Sequence, residues 1–429
     1  MPSITRGTTT FFASFKNTTQ KNNIAVLDGV RAIACLSVIA YHINRFTLLS
    51  HIWGRDIGPL ASSVAMMGWS GVTLFFVLSG FLLFMPYAKS LLFDSPWPSM
   101  RLFYTRRALR ILPGYYVALF LLIFLTHPQY LQLDYLKQLG LFLTFFMDSS
   151  SKTYQSIDGP FWTLAVEWQY YMLLPFLALA FRWVAQRGSP QRRLFMVILC
   201  LLGMILWGIT TRYWGRYYID FHPEAKAHMP QPYFNIALFF LYGITGKFLE
   251  DFAVGMLIST LFVYAQRAAS DNKVQTILCR ASMWLWSCGL LWLLFMASWN
   301  TFPIFRFLDP YIGVHNWLGE FGFSIGYGLC VIAILFGPVG LQKLFEWPLF
   351  RQIGFMSYSL YIWHIPLLLW FIDHILPQTQ GWQHSAIYSL YWAFVVLLII
   401  PVSYLSYRLI EQPWMSIAHR TRRKEVTPH

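Results

Sequence analysis

Asp28, Arg31 and His42 fall within one apolar stretch. At about 100° per residue, the eleven-residue step from Arg31 to His42 closes to within about 20° of three helical turns, and Asp28 lies on the same stripe. A rise of about 1.5 Å per residue separates the guanidinium from the imidazole by about 16 Å along the axis. Ionisable groups inside an apolar span are costly and tend to line cavities or pathways. Imidazole takes a proton from a hydroxyl near neutral pH, which makes His42 the candidate general base. On these residues alone, a structural histidine with a snorkelling arginine is the competing explanation.

Two further constellations carry charge. Arg106, Arg107 and Arg110 open a later apolar stretch, and the three-residue step from Arg107 to Arg110 puts two guanidinium groups on one helical face. Such a pair can grip phosphate bidentately, although plain anchoring at a membrane surface is the better explanation of the pair taken alone. In Phe161–Tyr171, Glu167 lies about two turns into an apolar helix and needs a partner there. It would hold an acceptor hydroxyl, orient His42 or pair with an arginine; spacing leaves all three open.

The elements that must position these groups follow from composition. Of 429 residues, 57% are hydrophobic and 12% charged, too few charges to cover a water-facing surface. Ten segments are long and apolar enough to cross a bilayer, near 25–46, 64–87, 108–126, 161–183, 194–212, 248–266, 282–299, 319–338, 353–375 and 385–407. The expected fold is therefore all-α: a polytopic integral membrane protein of about ten transmembrane helices, plus a short interfacial or half-crossing helix between Leu136 and Met147. One membrane domain over 24–407 is flanked by an N-terminal tail, 1–23, and a basic C-terminal tail, 408–429. No cleavable signal peptide is read at the start.

The net charge of +14 lies in short runs between spans, which argues against nucleic acid and for membrane orientation. With ten crossings and both ends cytoplasmic, 22 of the 32 Lys and Arg residues lie inside. Counting 136–147 as a full crossing would move the cluster Arg182, Arg187, Arg192 and Arg193 outside. The outside segment from Arg212 to Lys247, with Trp214, Tyr217, Tyr218, His222 and His228, is read as an acceptor platform or an aromatic interfacial belt. The five cysteines lack C-x-x-C spacing and imply neither a disulfide framework nor a metal site.

These motifs, taken in order, resemble the membrane acyltransferase 3 family, whose members move acyl groups, often acetyl, onto cell-surface polysaccharides, peptidoglycan, lipid-linked sugars or secondary metabolites. Leu27-Asp28-Gly29-Val30-Arg31 leading to Tyr41-His42 is similar to the family's Arg-x10-His opening. Gly71 to Gly80, containing Ser79, resembles its second-helix signature, and Arg107-Ala108-Leu109-Arg110 its Arg-x-x-Arg. Trp162 to Tyr171 resembles its Trp-x4-Glu segment, Ser357 to His364 its late helix, and Ser406 to Pro413 its ending.

The resemblance implies a catalytic place for His42, joined by Glu167, and donor binding by Arg31, Arg107 and Arg110, with Asp28, Ser79, Tyr171 and His364 in support. Trp168 stands where many members carry a second Glu. Some members add an extracytoplasmic SGNH-type domain; here the chain ends 22 residues past residue 407. A stand-alone member is therefore expected, acting directly or with a separate extracytoplasmic transferase. Acyl-CoA, most simply acetyl-CoA, is the expected donor, with no tightly bound cofactor or metal. The expected setting is a bacterial plasma or inner membrane with a carbohydrate or secondary-metabolite acceptor. A transporter or flippase is the rival class, and an acyl-group translocator without its own transferase chemistry shares every motif.

Overall fold

The computed structural model describes residues 26–49, 59–217, 231–267, 273–301 and 318–417. Helix α1 is Val26–Leu49. The short α2 (Pro59–Met66) runs through a tight turn, Met67–Ser70, into α3 (Gly71–Phe93). Then come α4 (Met100–Thr126), α5 (Leu136–Leu143), α6 (Phe161–Ala185), α7 (Pro190–Arg216), α8 (Gln231–Leu241), α9 (Leu249–Arg267), α10 (Lys273–Thr301), α11 (Gly319–Phe336) and α12 (Val339–Phe345). The chain closes with α13 (Pro348–Phe355), α14 (Ser357–His374), α15 (His384–Phe394) and α16 (Ile400–Ser406), the last two joined by a π turn, Val395–Ile399.

Among the described residues nine helices are long and apolar enough to cross a membrane, and ten if α13 and α14, bent by 73° at their junction, form one broken span. The protein is an all-α polytopic membrane protein, as composition required. Large apolar side chains point outward, among them Phe176, Trp183, Leu206, Leu291 and Leu397. An outer surface of this kind suits acyl chains, not water.

Several boundaries moved for identifiable reasons. Helix α4 begins at Met100, eight residues before the apolar stretch, because Ser99 caps it by accepting a hydrogen bond from the Leu102 amide at 3.3 Å, and arginine is a good helix former. Arg107 and Arg110 are thus two to three turns inside a continuous helix. The last span runs past residue 407 to Ile417 through a second π turn, Tyr407–Glu411. The 136–147 segment forms only the eight-residue α5, roughly 12 Å long and too short to cross. In the 212–247 stretch, residues 212–216 finish α7 and 231–241 form α8; Trp214 packs on Phe234 with ring centroids 5.4 Å apart. Tyr218, His222 and His228 lie outside the described residues.

Ion pairs fix which turns share a face of the bundle. Arg193 meets Asp94 at 2.7 Å and Arg182 stacks over Trp97 at 5.0 Å, so the α3–α4 and α6–α7 turns lie together. At the other end Lys247, just before α9, meets Asp148, just before α6, at 2.5 Å. This parity holds only if α5 does not cross.

Glycines set the depth of α1 against the broken span. A Cβ on Gly354 would lie 1.9 Å from the Asp28 carbonyl oxygen, and one on Gly29 1.9 Å from that of Phe345. Only hydrogen fits at either place, and backbones approach this closely in membranes where small residues meet. Asp28 and Arg31 are thereby held beside the junction at Met356.

Candidate active site

Eight of the nine residues singled out for chemistry belong to one region, divided into two parts, and Asp28 borders it through Arg31. The first is a cavity of about 70 Å³ lined by Arg31 from α1, Ser79 from α3, Arg107 and Arg110 from α4, and Glu167 and Tyr171 from α6. Six of the nine candidate residues, scattered over 140 positions of sequence, line this one space. Phe75, Phe76, Leu82, Leu83 and Leu164 supply much of its apolar wall.

Three guanidinium groups dominate its charge. Arg31 approaches Asp28 at 3.9 Å, a loose pairing across one helical turn. The Arg107 guanidinium lies 6.0 Å from the Tyr171 ring centroid, within reach of a weak cation–π contact. Arg110 donates to the Met415 sulfur at 3.7 Å, a poor acceptor. Among the described residues none of the three is held by a bidentate carboxylate, an arrangement that leaves their donors disposed toward an anion.

Glu167 resolves one of the alternatives left open by spacing. Its Oε1 accepts hydrogen bonds from the Ser79 hydroxyl and the Tyr171 phenol, both at 2.5 Å. It forms no ion pair with an arginine and no hydrogen bond with His42 among the described contacts. Its position ties α3 to α6 at the cavity wall and presents one carboxylate among three cations. Trp168 turns away and stacks on Phe145 at 5.1 Å.

The second part is a histidine pair. His42 does not line the cavity. Its Nδ1 lies 2.9 Å from the Val38 carbonyl oxygen, one turn back, and 3.2 Å from Nε2 of His364. His364 is fully buried, with its own Nδ1 2.7 Å from the Tyr361 carbonyl. Tyr361 joins the two parts, since its ring lines the cavity and lies 5.6 Å from that of His364. The Tyr361 hydroxyl and Thr163 Oγ1 are 2.7 Å apart, and because Thr163 donates to the Pro160 carbonyl at 2.8 Å, the phenol is the donor between them.

Sequence reasoning passed over four contributors. Ser357, Tyr358 and Tyr361 line the cavity with Thr163. Spacings of three and four residues place 357, 358 and 361 on one face of α14, a signal that was present but attached only to His364. Tyr358 also donates to the Ile111 carbonyl at 2.6 Å, locking α14 to α4. The late motifs meet as well. Ser359 donates to the buried Glu411, and the Trp363 indole to Ser406 at 2.9 Å. Asp158, in the segment before α6, is 3% exposed, and no described residue donates to either of its carboxyl oxygens. Burial pushes its carboxyl well above the usual carboxylate range.

Comparison with known proteins identifies the family of the chain. A family model described as an acyltransferase domain matches residues 24–408. The chain is 25% identical over 421 residues to the peptidoglycan O-acetyltransferase of Listeria monocytogenes, covering 93% of this chain and 57% of that protein. A putative O-acetyltransferase of Staphylococcus aureus is 24% identical over 411 residues, with 90% and 56% coverage. A putative peptidoglycan O-acetyltransferase of Bacillus subtilis is 23% identical over 437 residues, with 97% and 58% coverage. The chain thus spans less than three-fifths of these relatives' length. No solved structure matches it. Since the family model runs from just before α1 through both parts of the site and covers nearly the whole chain, the chain belongs to the membrane acyltransferase 3 family.

Proposed function

We propose that this protein is a membrane O-acyltransferase that moves a short acyl group, most simply acetyl, from acyl-CoA to a hydroxyl of a cell-envelope carbohydrate, with a peptidoglycan or polysaccharide sugar as the acceptor class. The observation that carries this reading is the convergence of Arg31, Arg107 and Arg110 on one cavity beside the His42–His364 pair. Guanidinium groups facing an otherwise apolar space suit the phosphates of a CoA donor. A cavity of about 70 Å³ suits a small acyl group and not a nucleotide, which would remain at the arginine mouth. The names of the relatives support acetyl and an envelope sugar.

In the reaction, His42 takes the acceptor hydroxyl's proton as its oxygen bonds to the thioester carbonyl carbon. The carbon–sulfur bond then breaks, and the imidazolium returns the proton to the thiolate, giving an ester and free CoA thiol. A route through an acyl-histidine reaches the same products in two steps. The basic runs support a cytoplasmic location for both termini and for the arginine mouth, the side where acyl-CoA is kept.

The test uses purified protein in liposomes with acetyl-CoA and a chito-oligosaccharide acceptor, following thiol release and the acceptor's mass. Acceptor-dependent thiol release with a 42 Da gain on the sugar supports the reading. Acetyl appearing in the lumen with no ester on any sugar, lipid-linked or free, would establish the translocator instead.

A further inference from the structure

We propose that His364 is the positioning residue that sets the tautomer of His42, leaving the Nε2 lone pair of His42 as the base that receives the acceptor's proton. This deepens the acyl-transfer reading and rests on it for its kinetic consequence, though not for its geometry. The argument starts from carbonyl oxygens, which only accept hydrogen bonds. His364 Nδ1 is 2.7 Å from the Tyr361 carbonyl and must carry a proton. In the neutral ring its Nε2 is then a bare acceptor.

His42 Nδ1 is 2.9 Å from the Val38 carbonyl, so it too carries a proton, shared with His364 Nε2 at 3.2 Å. The opposite assignment, with His364 Nε2 donating, would set the His42 Nδ1 lone pair against Val38 oxygen and the His364 Nδ1 lone pair against Tyr361 oxygen. Both neutral rings therefore adopt the Nδ1–H form, and each is anchored to its own helix one turn back.

Two effects follow. The Nδ1–H of His42 is held by two acceptors, so the ring cannot flip to present the wrong nitrogen. When Nε2 takes a proton, the new positive charge is shared through Nδ1–H with the His364 lone pair, in surroundings where such a charge-assisted bond is strong. Elsewhere in enzymes a carboxylate holds the second nitrogen of a catalytic histidine, and losing the correct tautomer costs about 10⁴ in rate. Here a neutral imidazole performs that task without placing a second charge in the bundle.

Ring nitrogen-15 spectra of histidine-labelled protein in bilayers read the geometry directly, with the His42 signals identified as those lost in His42→Gln. The wild type is expected to show His42 protonated at Nδ1, and His364→Leu, which leaves the Val38 carbonyl as the remaining acceptor, to weaken that bias. A His42 signal protonated at Nε2 in the wild type overturns the proposal whether or not acyl transfer occurs. Kinetics read the consequence. His364→Leu should lower kcat by about 100-fold or more while KM for acetyl-CoA stays within about threefold. His364→Gln, whose amide oxygen reaches the place of Nε2, should recover to within about tenfold of wild type, whereas the shorter His364→Asn should not. Equal activity of Gln and Asn variants, both high or both low, shows a packing role only. An inactive wild type with the expected spectrum would sink the acyl-transfer reading and leave the tautomer assignment standing.

Discussion

On the proposed reading His42 and the three arginines divide the chemistry between them, and substitutions separate their roles. His42→Gln keeps size and some hydrogen bonding but removes the base, so thiol release should fall by about 10² to 10⁴ with donor affinity unchanged. Turnover near the wild-type rate, measured on monodisperse protein, would remove proton abstraction from its role. Arg107→Ala with Arg110→Ala should weaken acetyl-CoA binding by at least tenfold, and Lys at either place should rescue only in part because it lacks the planar fork. Unchanged affinity by calorimetry in detergent would dissociate the cavity from the donor. Asp158 makes a prediction about pH. Its folded-state carboxyl titrates above the unfolded value of about 4, so its contribution to stability is complete below that value and is lost as pH rises through the folded one. Asp158→Asn should flatten this decline, worth up to about 1.4 kcal/mol per pH unit, in thermal melts from pH 4 to 8.

Helix-to-helix ties decide how firmly the site is framed. Arg212, 1% exposed near the end of α7, is held by Glu250 of α9 at 2.5 Å and Glu320 of α11 at 3.2 Å, and its guanidinium covers the Phe248 ring at 4.3 Å. Removing one member of a buried ion pair strands the other, at a cost of about 3–5 kcal/mol. Arg212→Ala should therefore lower stability by about that amount, and adding Glu250→Leu and Glu320→Leu should recover much of it. A single mutant that melts with the wild type would show the cluster to be hydrated and not buried. The broken span is the other critical element. Gly354→Leu drives a side chain into the Asp28 carbonyl and displaces α1 from the junction, so it should lose both folding yield and donor binding.

At the scale of the whole bundle, the Asp94–Arg193 contact and the Lys247–Asp148 contact define two opposite faces. In a variant lacking the native cysteines, Asp94→Cys and Lys152→Cys should react with an impermeant maleimide from opposite sides of the membrane, Asp94 from the cytoplasm. Labelling of both from one side would break the ten-crossing topology. A reporter at residue 429 should be active only in the cytoplasm. Among the described residues, the cavity and the histidine pair are built between helices.

The sequence by itself determined the class of fold, a count of about ten crossings and the identity of every charged group lining the site. The reason is that a bilayer penalises buried charge so heavily that Arg31, His42, Arg107, Arg110 and Glu167 stand out against their surroundings. Helical period also placed Asp28, Arg31 and His42 on one stripe. Periodicity says nothing about which helices meet, and the tertiary structure alone decided three matters. It gave Glu167 to the hydroxyls of Ser79 and Tyr171, 88 residues and four residues away, in place of His42 or an arginine. It brought His364 to His42 across 322 residues, a contact with no local signature. It also left Asp158 without a donor among the described residues while Arg212 found two carboxylates. Each outcome depends on the packing of distant helices, set by close backbone contacts such as Gly354 on Asp28, whose energy belongs to pairs of surfaces and not to any one segment.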